Sequence, residues 1–157
     1  MSKLYLLLIL TSTGLASAQE TGVTKQFAGC YVLRVVAQHP VVNRDDDVLP
    51  KRFLLTSHPS PYHKDSAGKI FTARSLDPKI RWDLSLSSWT VTDDGYLQIS
   101  WSTGYVGYGV KLGWNKGSYR GTAHYWTDTD PQPLDQFTTR NSTAVRVDRV
   151  ECKDSEK

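Results

Sequence analysis

Residues 94–128 read DGYLQISWSTGYVGYGVKLGWNKGSYRGTAHYWTD. Leu97, Ile99 and Trp101 alternate with Gln98, Ser100 and Ser102, and beyond Ser102-Thr103-Gly104 a second alternation carries Val106, Tyr108, Val110, Leu112 and Trp114. Successive side chains of a strand point to opposite faces, so a period of two means strand. Asn115-Lys116-Gly117 offers residues that tolerate positive φ, as a tight hairpin requires. The chain then runs out again with Tyr119, Gly121, Ala123 and Tyr125 on one face and Arg120, Thr122, His124 and Trp126 on the other. The stretch reads as three consecutive antiparallel strands, a β-meander.

The flanking sequence repeats this pattern. Upstream, Asp93-Asp94-Gly95 turns a strand at Ser88-Trp89-Thr90-Val91-Thr92 into the meander, Asp-Gly between alternating runs being a strong hairpin signal. Earlier still, strands are expected from Phe27-Ala28-Gly29-Cys30-Tyr31 to Val36, over Lys51-Arg52-Phe53-Leu54-Leu55-Thr56, over residues 68–74 and, with weaker alternation, over residues 80–84. Pro59 and Pro61 argue that the second of these stops before Ser57. Downstream, a loop with Asp128, Asp130 and Asp135 leads to a last strand, Ala144-Val145-Arg146-Val147-Asp148-Arg149-Val150, and residues 153–157 form a charged tail expected to fray. With no helix pattern and no repeat, the chain is expected to form one all-β domain of about eight to nine strands.

The chain begins with Lys3, an apolar run over residues 4–10 and the small-x-small pattern Ala16-Ser17-Ala18, which reads as a secretory signal peptide over residues 1–18. The single domain then covers residues 19–157, and a secreted or periplasmic location is expected. No later stretch approaches the roughly 20 apolar residues of a membrane-spanning helix. In an oxidising compartment the two cysteines, Cys30 and Cys152, are expected to form a disulfide. That bridge sets the first and last strands side by side, as an up-and-down antiparallel barrel requires; a β-sandwich is the alternative. The net charge of +3 is spread along the sequence, too weak a field to argue for nucleic acid.

At Phe27-Ala28-Gly29-Cys30-Tyr31 the sequence resembles the Phe-x-Gly-x-Trp motif that opens lipocalins and the wider calycin group, with Tyr31 in place of the Trp. In lipocalins an arginine of the last strand packs across that aromatic, and the resemblance offers Arg146 or Arg149 for the role. Gly29-Cys30-Tyr31, Pro50-Lys51-Arg52-Phe53-Leu54-Leu55-Thr56, Trp101-Ser102-Thr103-Gly104, Arg120-Gly121-Thr122-Ala123 and Cys152 are also similar to a group of small secreted, lipocalin-like bacterial proteins. The first resemblance implies a lipocalin-like barrel that binds a small hydrophobic molecule in its mouth. The second supports the barrel and adds no activity.

No nucleophile elbow, zinc-binding His-Glu-x-x-His, phosphate loop or Cys-x-x-Cys occurs, so neither catalysis nor a cofactor is expected. Asp45, Asp46 and Asp47 lack the glycine and glutamate of a calcium loop, and His58 and His63 lack a legible third ligand, so no metal is expected either. His124 would need a carboxylate partner to act as a base. Asn141-Ser142-Thr143 matches a glycosylation acceptor, which matters only in a host that glycosylates. The unusual feature is aromatic richness, and Trp101, Tyr108, Trp114, Tyr125 and Trp126 are the candidate ligand-binding residues for a small apolar or aromatic ligand in the barrel. The alternative is a filled barrel that acts through its loops as a protein- or glycan-binding module or inhibitor. Gly107, Gly109 and Gly113 leave one face of a meander strand bare, either for sharp coiling or for the approach of a ligand or another surface.

Overall fold

The computed structural model describes residues 22, 26–38, 49–63, 69–78, 80, 86–127 and 142–156. The expected signal peptide, Asp45 to Asp47, Trp82, Asp128, Asp130, Asp135 and Asn141 lie outside the described residues. Eight strands follow one another: β1 (Gly29–Gln38), β2 (Arg52–Pro59), β3 (Phe71–Ser75), β4 (Ser88–Val91), β5 (Leu97–Ser102), β6 (Val106–Asn115), β7 (Ser118–Thr127) and β8 (Ser142–Val150). Each pairs antiparallel with its neighbour in sequence, and β8 returns to β1, so the sheet closes into an up-and-down barrel. Among the described residues no helix is long and apolar enough to cross a membrane.

The meander is the longest uninterrupted part of the wall. Pairing of β6 with β7 runs from Val106↔Thr127 to Asn115↔Ser118 without a break. It is turned by Lys116 and Gly117 at φ 46° and 86°; positive φ at both central residues matches the right-handed twist of the strands. Gly107 is also required by its surroundings. A Cβ there would lie 2.3 Å from the carbonyl oxygen of Trp101 and 2.6 Å from the Trp126 ring.

Two expectations are corrected here. β2 does not stop at the prolines: it runs to Pro59, which pairs with Phe71 after a register shift between Leu55 and Pro59. A proline is tolerated at a bulge and at a strand end, where the missing N–H breaks no ladder. The tail, expected to fray, is folded against the barrel as far as Glu156. Cys152 is bonded to Cys30 across 122 residues, and a 3-10 turn at Asp154–Glu156 brings Glu156 to Arg52, whose Nε and Nη2 each donate to its carboxylate at 2.8 Å. Arg74 Nη2 donates to the Glu156 carbonyl oxygen at 2.7 Å. The tail thus clasps the outer wall of β1 to β3. The fourth expected strand has no counterpart at Ile80, and residues 81–85 lie outside the described residues.

Inside, Tyr31, Phe53, Trp89, Trp101 and the aliphatic residues of β2, β5, β6 and β8 form one continuous core. Tyr31 stacks on Phe53 at 5.5 Å, and Phe53 meets Trp101 edge-on at 5.1 Å, geometries that suit the ring quadrupoles. One end of the barrel is closed by the segment before β1. Phe27 is buried against Trp89 and Tyr119, and the Tyr31 hydroxyl donates to the Phe27 carbonyl at 2.6 Å. Arg149, paired in register with Tyr31, donates to the carbonyls of Gln26 at 2.8 Å and Ala28 at 2.6 Å. Of the two arginines the lipocalin resemblance left open, Arg149 is therefore the one beside Tyr31.

Candidate functional site

The closed sheet sorts the five candidate aromatics into three places. Trp101, Tyr108 and Tyr125 are direct cross-strand partners on β5, β6 and β7 and share the inner face. Trp101 is fully buried, and its indole N–H has no hydrogen-bond partner among the described residues. The Tyr108 and Tyr125 rings are 5.1 Å apart. Trp114, on the same face but at the closed end of the barrel, is 64 % exposed, with its ring edge-on to Tyr119 at 4.8 Å. Trp126 follows Tyr125 directly and so points to the opposite face. It lies on the outer wall, its indole laid over Gly107.

That outer wall carries a cavity of about 400 Å3, partly open to solvent, over the middle of β4, β5, β6 and β7. Pocket volumes of roughly 300–1,000 Å3 are those that hold small molecules. Its origin lies in the register. Ser88 of β4 stands opposite Ser100 of β5, Ser100 opposite Gly109 of β6, and Gly109 opposite His124 of β7. The row therefore runs hydroxyl, hydroxyl, bare backbone, imidazole. Without a side chain at Gly109 the wall dips, and Trp126 borders the dip. A second row supplies Thr90 and its partner Gln98. The lining is mainly apolar with a few hydroxyl, amide and imidazole groups, a composition that buries a flat ligand and orients it by its edge.

The wall beneath is tied into the core. Trp89 points into the core from β4, between Ser88 and Thr90, and its indole N–H donates to the Thr56 carbonyl at 2.9 Å, which ties β4 to β2 across the interior. The loop candidates His58 and His63 serve other ends: His58 is exposed on β2, and His63 Nδ1 is 3.1 Å from the Ser60 hydroxyl. Among the described residues no three His, Cys, Asp or Glu side chains gather as a metal site would require.

Sequence reasoning identified Trp126, His124 and the bare glycine face but did not join them to Ser88, Thr90, Gln98 and Ser100. The joining signal is the strand register, which places residues of four strands in one row and which sequence does not specify at this distance. No family model, no curated protein and no solved structure matches the chain.

Proposed function

We propose that this is a secreted or periplasmic binding protein, lipocalin-like in its barrel, that takes a small flat ligand on its outer wall, in the groove between Trp126 and Ser88. The observation that carries this reading is the contrast between the two faces of the same strands. Trp101, Tyr108 and Leu112 pack into a continuous core on one side, while Ser100, Gly109 and His124 border a cavity of about 400 Å3 on the other. Affinity would come from covering the apolar floor and the Trp126 indole, and orientation from the Ser88, Ser100, Gln98 and His124 side chains. The lipocalin-like part of the proposal is supported by Arg149, which caps the Gln26 and Ala28 carbonyls beside Tyr31.

A second reading, an apolar ligand held inside the barrel, is favoured by the buried indole N–H of Trp101, which has no partner among the described residues. One experiment separates the two. Tryptophan emission of the oxidised protein is titrated with an apolar fluorescent probe and with a panel of flat aromatic compounds and monosaccharides. The same titration is repeated on Gly109→Val, which fills the groove floor, on Trp126→Ala and on Trp101→Phe. The outer-wall reading expects saturable binding that Gly109→Val and Trp126→Ala weaken at least about tenfold, a loss of about 1.4 kcal/mol, while Trp101→Phe binds as before. Loss of binding in Trp101→Phe alone, with all variants folded by circular dichroism, would transfer the function to the interior.

A further inference from the structure

On the outer wall beyond the groove, toward the turn between β6 and β7, the register lines up three arginines. Arg34 of β1 is directly opposite Arg146 of β8, and Arg146 is directly opposite Arg120 of β7. Residues 34, 120 and 146 are far apart in the chain, so the row exists only once the barrel has closed. All three are exposed. Like charges directly opposite one another across antiparallel strands repel, and here two such contacts occur in succession. Among the described residues the repulsion has one counter-charge: Asp148 Oδ1 lies 3.0 Å from both Nε and Nη2 of Arg146. Among the described residues the side chains of Arg34 and Arg120 have no hydrogen-bond or ion-pair partner.

The wall does not need this arrangement. Strand alternation asks only for polar residues outside, and a closed barrel leaves no β1 or β8 edge for charges to protect from aggregation. Solubility is served by mixed charge, not by a single-sign row. Guanidinium groups are suited to one class of partner: planar or tetrahedral oxyanions, which they grip through paired N–H donors. Strands are spaced roughly 4.7–4.9 Å apart, so the row presents a cation at each such step. It is also continued by a ring. The next position across from Arg120 is Gly113 of β6, and against its bare backbone lies Tyr96, 39 % exposed, with Lys111 Nζ 4.4 Å from the ring centroid.

We propose that the Arg34–Arg146–Arg120 row, ending at Tyr96 and Lys111, is a binding site for an anionic polysaccharide that carries a carboxylate or sulfate on successive sugar units. The charges face the acidic groups of the polymer, and the Tyr96 ring covers the apolar face of a sugar at the end of the track. The polysaccharide is favoured over a lipid surface because the exposed apolar residues next to Arg34, Val35 and Val36, are small, whereas a surface that inserts into lipid presents Trp, Phe or Leu. It is favoured over nucleic acid because three arginines neutralise fewer charges than the six to ten phosphates typical of such binding.

The test uses the full oxidised protein. Fluorescence anisotropy is measured with labelled polygalacturonate and labelled dextran sulfate, against uncharged dextran and single-stranded oligothymidylate. The expected result is binding to one or both acidic polymers, none to dextran, and a loss of affinity of at least about tenfold between about 50 mM and about 200 mM salt. The double substitution Arg34→Gln, Arg120→Gln should weaken binding by a further factor of about ten at low salt, whereas Lys116→Gln, an exposed cation off the row, should not. Tyr96→Ala should weaken acidic polymer binding without changing its salt dependence. The proposal is overturned if neither acidic polymer binds at low salt, if the double variant binds as the parent does, or if oligothymidylate binds as tightly as the polysaccharides.

Discussion

Tyr31 does two things at once where the barrel closes. Its ring is fully buried, stacked on Phe53, and its hydroxyl donates to the Phe27 carbonyl, holding the plug segment in place. Burial pushes the phenol up to about 12, against the opposing pull of Arg149, with Tyr119 adding to the rise. An unfolded chain ionises this group near pH 10. Because the folded value is the higher one, the stabilisation from keeping Tyr31 neutral is fully present below pH 10 and is lost as pH rises from about 10 to about 12. Tyr31→Phe removes the hydroxyl and leaves the Phe27 carbonyl without its donor, which costs about 1 kcal/mol at pH 7. Urea midpoints from pH 8 upward should therefore fall more steeply for the parent than for Tyr31→Phe above pH 10. Parallel curves would show that the phenol keeps its ordinary value.

The C-terminal 3-10 turn is an element whose whole purpose is visible in one ion pair. Arg52 holds the Glu156 carboxyl down at about 2, helped by the Lys153 backbone N–H at 2.8 Å. The folded value lies below the unfolded one, so this contribution is present above about pH 4 and is lost as pH falls toward 2. Glu156→Gln is expected to lower the melting temperature at pH 7 and to leave it unchanged at pH 2; an equal fall at both pH values would assign the effect to packing. The sequence could not reveal the clasp, because Arg52 and Glu156 are 104 residues apart and their ends look like any charged tail. The turns at Asp94-Gly95 and Lys116-Gly117 were legible for the opposite reason. There the signal is the backbone preference of adjacent residues, and Gly95, Lys116 and Gly117 all adopt the positive φ it implies. Pro59 misled because proline excludes a central ladder position but not the bulged end of a strand.

At the scale of the molecule, the two outer-wall rows that sequence reading missed depend on which residue stands opposite which. Alternation gives two faces to each strand, but only the register says that Ser88, Ser100, Gly109 and His124 share a row, or that three arginines do. Tyr125 and Trp126 illustrate the limit: both were candidates for one cavity, yet adjacent strand residues cannot share a face. Closure itself was legible, because two cysteines near the ends of one small domain constrain where those ends go. Cys30 sits at the start of the β1–β8 seam, whose pairing runs from Cys30↔Val150 to Gln38↔Thr143. The bridge closes a loop of 122 residues, which in the chain-entropy model stabilises the fold by about 5 kcal/mol. Cys30→Ser, Cys152→Ser should lose most of that, seen as a lower urea midpoint. The loss should also be unevenly distributed. The β6–β7 hairpin is held by a local turn and the seam by partners distant in sequence, so without the bridge the seam bears the larger loop-closure cost. Native-state hydrogen exchange of the variant should then show amides of β1 and β8 opening at lower free energy than those of β6 and β7. Simultaneous loss of protection in both pairs would instead mean that the barrel opens only as a whole, and that the bridge acts on the unfolded chain alone.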